Sequence, residues 1–530
     1  MSKESIKVLK NESPVGKVFD FADFLSPMLV KELRQGLRSI GFSLLFIIMQ
    51  IVLALALLMI LVLDGPGAIA SYTIFLAYFV AVCGIQPLRG ANAVSAEIKG
   101  DTIDLVSITS LSSWKIVSGK WVSLMAQSLL FGVSLLPYVI LRYFLGDMQL
   151  FGELVLFAII FITGGIVTAL SVGGSAIPSL VLRFIVVGGV IGFTVVYGFA
   201  ILSAFFAGGR DFLQMIGSDL QPVLIVIGVG ILVGTYLSWV ALDYGASMIA
   251  PISENRASNR RLVYLCFLAL GLAVSVATVI FQDAFVSDAA IISVVSCIMI
   301  CAATFVIFLF TLFSEYPYVT KGVARKMLKR KIAGKLRFML YPGWASGWTC
   351  VSVCIAMLIG MLACFYMITV GDSNDEKGFG VAALLFTGAL ASLTFPACLV
   401  VLFKRKSSNL LTMYLIFLIA SILVSVMVLF LANGVGDFIS VIFSWIPLVT
   451  VYQALNEMGM RYNNTYNADL ISLFTSINLV SILVHSIIIR LCAIPYLRQI
   501  KQQEKLAIEL MKKENSNPSS NEDTTPDKVI

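Results

Sequence analysis

Apolar runs of membrane-spanning length recur between Gly41 and Cys492, and nearly all the positive charge lies in every second gap between them. A helix needs about twenty apolar residues to cross the hydrocarbon core of a bilayer. Twelve segments qualify: 41–63, 69–87, 121–145, 154–177, 181–205, 223–246, 263–281, 289–313, 348–370, 378–403, 411–431 and 470–492. If each crosses once, 33 of the 37 lysines and arginines fall on the side of the N-terminus; only Arg142, Arg210, Lys377 and Arg461 fall on the other. Short basic loops resist translocation, so this split predicts cytoplasmic N- and C-termini and an even number of crossings. The fold class expected is an all-α polytopic membrane protein with about twelve transmembrane helices. At 59% hydrophobic residues, the 530-residue chain carries more apolar surface than a soluble core hides. The net charge of +7 belongs to loops facing anionic headgroups and is no sign of a nucleic-acid partner.

The twelve runs form two sets of six on one plan. Each set has a helix pair, a long cytoplasmic loop (89–120 and 314–347), a second pair, a short basic link (near Arg183 and at 404–406) and a fifth helix. A longer outer segment then leads to the sixth. An even number of spans per half predicts a parallel repeat. The domain expectation is an N-terminal cytoplasmic segment 1–40, a first membrane half 41–249, a linker 250–262, a second half 263–494 and a tail 495–530. The tail is expected to be helical over 497–513 and disordered over 515–530, which is polar and holds Pro and Ser. The apolar stretch 438–452 is too short to cross, and counting it would put the basic tail outside. It is expected to be a re-entrant or interfacial element. About forty mostly polar residues precede the first run, so no cleavable signal is expected.

Before the first span, Ser26 is placed to cap a helix and Pro27 suits its first turn. Leu29, Val30, Leu33, Leu37 and Ile40 then share one face, with Lys31, Arg34, Gln35 and Arg38 on the other. This pattern predicts an amphipathic helix at the inner leaflet, bent from the span at Gly36 and Gly41.

Ionisable groups within the spans are few, which argues against an ion-driven transporter. Asp243 and Arg142 lie near span ends and are expected to snorkel to the interface. His485, the single histidine, is expected to hydrogen-bond a neighbouring helix. The nine cysteines lie in or beside apolar runs and are expected to be packing residues, not metal ligands. Gly164–Gly165, Gly173–Gly174, 188–192 and 228–234 supply small residues for close helix packing.

The loop between spans two and three, 95–121, reads SAEIKGDTIDLVSITSLSSWKIVSGKW. It resembles the loop that type-2 ABC transporter permeases carry in this position: a Glu, a Gly-Thr, a Leu-rich turn, a Thr-Pro-Leu-Ser element and a Gly-Lys before the third span. The matching residues are Glu97, Gly100, Thr102 (after an inserted Asp101), Leu105, Thr109, Leu111, Ser112, Gly119 and Lys120. Ser110 stands where the family has proline. Residues 26–39, SPMLVKELRQGLRS, resemble the family's elbow helix, with Pro27, Lys31, Glu32 and Arg34 in the matching positions and Arg38 one turn on. The likeness covers 25–262 and is weak beyond.

The resemblance implies a bacterial inner-membrane exporter permease that docks a cytoplasmic ABC ATPase through this loop, with ATP and Mg on that partner subunit and no cofactor on this chain. Membrane lipids and a second permease chain are further expected partners. Apolar Leu105, Val106, Ile108 and Leu111 suit a groove, with Glu97 and Lys99 as rim charges. No Walker loop is present: Gly16-Lys17, Gly119-Lys120 and Gly334-Lys335 are each followed by a residue other than Ser or Thr. The chain is therefore not expected to be an enzyme. A membrane scaffold that binds partners without moving substrate is the alternative. The basic run 321–337 fits either a second docking element or an amphipathic helix on anionic lipid.

Overall fold

The structure, a computed structural model, describes residues 27–63, 67–100, 112–145, 150–177, 180–208, 220–251, 254–281, 287–315, 318–330, 334–369, 373–403, 409–435 and 468–516. Among these the regular structure is helical throughout, and twelve helices are long and apolar enough to cross a membrane. The chain is a multi-pass membrane protein of all-α class. It divides into two compact units, Met1–Pro251 and Ile252–Ile530.

The first unit opens with α1 (Pro27–Leu37) and α2 (Ile40–Leu63), the first span. The second span is not one regular helix. It runs as α3 (Gly67–Phe79), a π segment (Val80–Ile85) and α4 (Gln86–Gly90). Pro87 causes this: it lacks an N–H, and its ring excludes the carbonyl one turn back. The ladder shifts to the wider repeat, and the Gln86 N–H bonds Ala81 O. After α5 (Ala93–Lys99) come α6 (Ser113–Leu145), α7 (Leu150–Gly174), α8 (Leu180–Gly208) and α9 (Leu220–Ile249).

Helix α7 sits at the centre of this unit and packs against α4, α6, α8 and, most extensively, α9. A glycine seam allows the last contact. A Cβ on Gly173 would overlap the Ala241 backbone, and one on Gly245 would lie 3.2 Å from Gly173 Cα. Gly164 is likewise pressed against Val82, and Gly234 against Ile166. Of the other expected packing glycines, Gly165 and Gly174 are packed against Met125 and Val187, whereas Gly188, Gly189, Gly192, Gly228 and Gly230 face open space. Lipid supplies no hydrophobic drive between helices, so lost close packing is not recovered elsewhere. Gly173→Leu is therefore expected to cost roughly 3 kcal/mol, and Gly189→Ala less than about 0.5 kcal/mol. Thermal melting in mild detergent separates the two, and equal shifts would refute the assignment.

The second unit contains α10 (Ala257–Ile280), α11 (Ser287–Phe313), α12 (Lys321–Lys329), α13 (Gly334–Met339), α14 (Trp344–Thr369), α15 (Ser373–Phe403), α16 (Leu410–Val435) and α17 (Ala468–Ser516). Helix α14 packs on α10, α11, α15 and α17. The most extensive helix contact in this unit, α15 on α17, carries two polar rungs. Asn478 Nδ2 donates to Thr387 Oγ1 over 3.4 Å, and Thr394 Oγ1 lies 3.2 Å from His485 Nδ1. The rungs are two turns apart on both helices, so one face of each helix fixes the register.

Several local expectations change. Helix α10 starts at Ala257, inside the stretch expected as linker, and buries Ala257, Ser258, Arg260 and Arg261. Run 321–337 forms two short helices, not one. The apolar face of α12 (Val323, Ala324, Met327) is buried with Leu340, Tyr341, Ile500 and Ala507. That face is closed to lipid. The tail is helical over 497–513 as expected, as a continuation of α17, which runs unbroken from the last span through Pro495 and takes in residues 515 and 516, expected to be disordered. Asp243 is buried, so it does not snorkel. The stretch 438–452 and residues 517–530 lie outside the described residues.

Candidate functional site

The sequence motifs on either side of the first span meet in space. Helix α1 is held against α6 because Gly36 has no side chain: a Cβ there would overlap Gln127 Nε2. The bend before α2 comes at Arg38–Ser39 and not at the glycines. The Ser39 hydroxyl donates to Gly36 O over 2.7 Å and accepts from Phe42 N at 3.3 Å, which caps α2. Gly36 thus serves close approach, and Gly41 faces open space.

Two elements of the expected docking loop then close on α1. Lys120 Nζ lies 3.0 Å from Glu32 Oε1 of α1 and 2.8 Å from Glu97 Oε1 of α5. The lysine side chain is 9% exposed and both carboxylates are 17% exposed, so this is a largely buried triad. Glu97 is therefore bound to Lys120 within the chain, where a rim contact to a partner was expected. Gly119 and Lys120 are not loop residues: both are buried in α6, which starts at Ser113. Gly100 ends α5, with its N–H on Ala96 O at 3.0 Å.

A second cation ties the same corner together. Arg89, brought into place just past the π segment, donates to Gln86 Oε1 at 3.0 Å, Ser39 Oγ at 3.1 Å and Gly36 O at 3.4 Å, and also to Gln127 Oε1. Its guanidinium lies 5.9 Å from the Phe42 ring centroid. Arg89 and Gln127 carry none of the sequence motifs. Gln127 stands seven residues after Lys120, hence on the same helical face, and that spacing was the available signal.

Of the other expected site residues, Pro27 begins α1, Lys31 borders the cavity beside the triad, and Arg34 and Arg38 are exposed. Leu29, Val30 and Leu33 are half-buried, whereas Leu37 and Ile40 are exposed. Thr102, Leu105, Thr109 and Leu111 lie outside the described residues.

The second unit holds its own buried ionic cluster, at the end of α11. Glu315 sits between two arginines of α10: Arg260 Nη2 is 3.3 Å from Oε1, and Arg261 Nη2 bonds Oε2. Arg261 is fully buried and also donates to Met339 O at 2.7 Å, Tyr341 O at 2.5 Å and Gly343 O at 2.9 Å. The Gly343 N–H returns to Glu315 Oε2 at 3.0 Å, in a turn whose φ of 102° suits glycine. Beside it, burial and then the Glu504 carboxylate push the Tyr341 phenol up; its hydroxyl lies 3.4 Å from Glu504 Oε1. This cluster fastens the segment between α13 and α14 to the start of α10.

All nine cysteines are free thiols. Among the described residues no group of His, Cys, Asp and Glu is placed to hold a metal ion. No protein-family model, curated protein or solved structure matches the chain.

Proposed function

We propose that the chain is the permease subunit of an ATP-driven exporter of the type-2 ABC class, in a bacterial inner membrane, with hydrolysis on a separate cytoplasmic ATPase. The observation that carries this is the Glu32–Lys120–Glu97 triad. A permease must convey movement from a docked ATPase into its spans. Here a single lysine joins the expected docking loop, the elbow helix and the third span, so a push on one reaches the other two.

A parallel repeat is consistent with the packing within each unit. In each, spans four and six make the largest contact. Spans one and two, one and three, three and four, three and six, four and five, and two and five also touch in both. On this reading, one chain supplies both halves of the translocation path.

The test is a mild-detergent pull-down of the tagged chain. A P-loop ATPase is expected in stoichiometric amount, and Leu105→Asp with Leu111→Asp is expected to release it by desolvating charge in an apolar groove. Glu97→Ala is expected to retain the ATPase but lower its permease-stimulated turnover about tenfold. Recovery of the chain with no ATPase would end the permease proposal. Retention of the ATPase with unchanged turnover in every variant would favour a scaffold.

A further inference from the structure

A cavity of about 490 Å³ lies beside the triad, bordered by α1, α5 and α6. We propose that it binds the phosphate of an anionic phospholipid headgroup, of the phosphatidylglycerol class.

Free donors on the α6 wall are the first support. Ser123 and Gln127 border the cavity and are 4% and 1% exposed. Among the described residues, the Ser123 hydroxyl and the Gln127 amide nitrogen make no hydrogen bond, since Gln127 uses its oxygen for Arg89. The two residues stand four apart on one helix, so they share a face. A buried donor left without an acceptor is costly, and phosphate oxygens are strong acceptors.

Charge points the same way. The ionised side chains that line the cavity are Lys31, Glu32, Arg89, Glu97 and Lys120, which leave one net positive charge. Its two ends differ. At one, Lys120 is held between Glu32 and Glu97. At the other, Arg89 bonds only neutral acceptors: the Gln86 and Gln127 amides, the Ser39 hydroxyl and the Gly36 carbonyl. No carboxylate pairs with Arg89 among the described residues. Gln127 belongs to this positive end, and a phosphate diester there brings the single negative charge that neutralises the lining. Exposed Lys31, at the border, supplies a further ammonium. Choline and ethanolamine headgroups carry a cation of their own and leave the positive charge standing.

Depth identifies the source as a lipid. The cavity lies where span one begins, span two ends and span three begins, and alternating crossings put these three ends on one face. Gly36 and Ser39, which border it, precede the first apolar run, and Gln127 Nε2 lies against Gly36. Headgroups occupy this level of a bilayer. The volume falls within the range of about 300–1,000 Å³ usual for small-molecule sites.

The experiment uses the full chain, with no ATPase present, so its failure leaves the proposed function standing and the converse also holds. Native mass spectrometry from detergent would measure occupancy by phosphatidylglycerol, phosphatidylethanolamine and phosphatidylcholine of matched acyl chains. Phosphatidylglycerol is expected to bind about tenfold more tightly than either zwitterion. Ser123→Ala removes a donor that bonds nothing within the chain, so it is expected to lower phosphatidylglycerol occupancy about fivefold and leave the melting temperature unchanged. Lys31→Gln is expected to lower the preference about threefold, and Lys31→Arg to keep it. Should Ser123→Ala misfold, the headgroup series on the unaltered chain and the Lys31 pair decide. Equal binding of the three lipids, preference for a zwitterion, or a preference unchanged in folded Ser123→Ala would overturn the proposal. Inorganic phosphate or glycerophosphoglycerol binding as tightly as the diacyl lipid would overturn the lipid source.

Discussion

Glu315→Ala is expected to destabilise the second unit by about 3–5 kcal/mol, the loss seen when one partner of a buried ion pair is removed. The carboxylate is the acidic partner of both Arg260 and Arg261, whose side chains are 4% and 0% exposed. Without it, the Arg261 guanidinium stays buried beside carbonyls that offset only part of its charge. A domain has about 5–15 kcal/mol in total, so the loss takes a large share. The measured consequence is a melting temperature lower by about 10 °C in mild detergent. Glu315→Gln keeps an acceptor for Arg261 or the Gly343 N–H and is expected to lose roughly half as much. The double change Arg261→Met with Glu315→Met is expected to recover part of the loss, because the buried charge and its counter-charge leave together. A melting temperature of Glu315→Ala within a degree or two of the native chain would remove the cluster from any account of this unit's stability.

Lys120→Met is the counterpart in the first unit. It leaves Glu32 and Glu97 facing each other around an apolar side chain. Like charges at close range in a half-dry site repel. The carboxylates keep some solvent, so the cost is discounted to about 2 kcal/mol. The larger effect is local. Helix α1 should lift from α6 while Arg89 still anchors the Gly36–Ser39 turn. Limited proteolysis at Lys31 and Arg34 is expected to speed up about tenfold, in step with that opening energy. Adding Glu32→Gln and Glu97→Gln to Lys120→Met should restore protection. Unchanged cleavage in the single variant would mean that packing, not the triad, holds α1 down.

Length and apolarity were enough to find the spans, because a membrane demands about twenty residues whatever their order. They also found α1, since Pro27 and the Leu29–Val30–Leu33 face are local features. Glu97 and Lys120 were singled out by a motif, but their pairing was not visible: nothing local relates residue 97 to residue 32. Arg89 and Gln127 escaped for the same reason, although the seven-residue step from Lys120 to Gln127 becomes informative once α6 is known to begin at Ser113. Arg260 and Arg261 were counted as linker charges. Their burial follows from α10 starting four residues before Arg261, which an apolar window does not detect. Val323, Ala324 and Met327 gave an amphipathic pattern that fits lipid and protein equally; only the continuation of α17 decides between them.

Helix α17 is a single strut. Its 49 residues, at 1.5 Å each, give a rod about 73 Å long, more than twice the thickness of a hydrocarbon core. One end interlocks with α15 through Asn478 and His485, and the other bears on α12 through Ile500 and Ala507. A rod without a loop does not let its two ends relax separately. Load applied to α12 is therefore carried over roughly 20–45 Å to the Thr394 and Thr387 rungs as a change of tilt. Any yielding concentrates at Pro495, where one rung of the backbone ladder is missing.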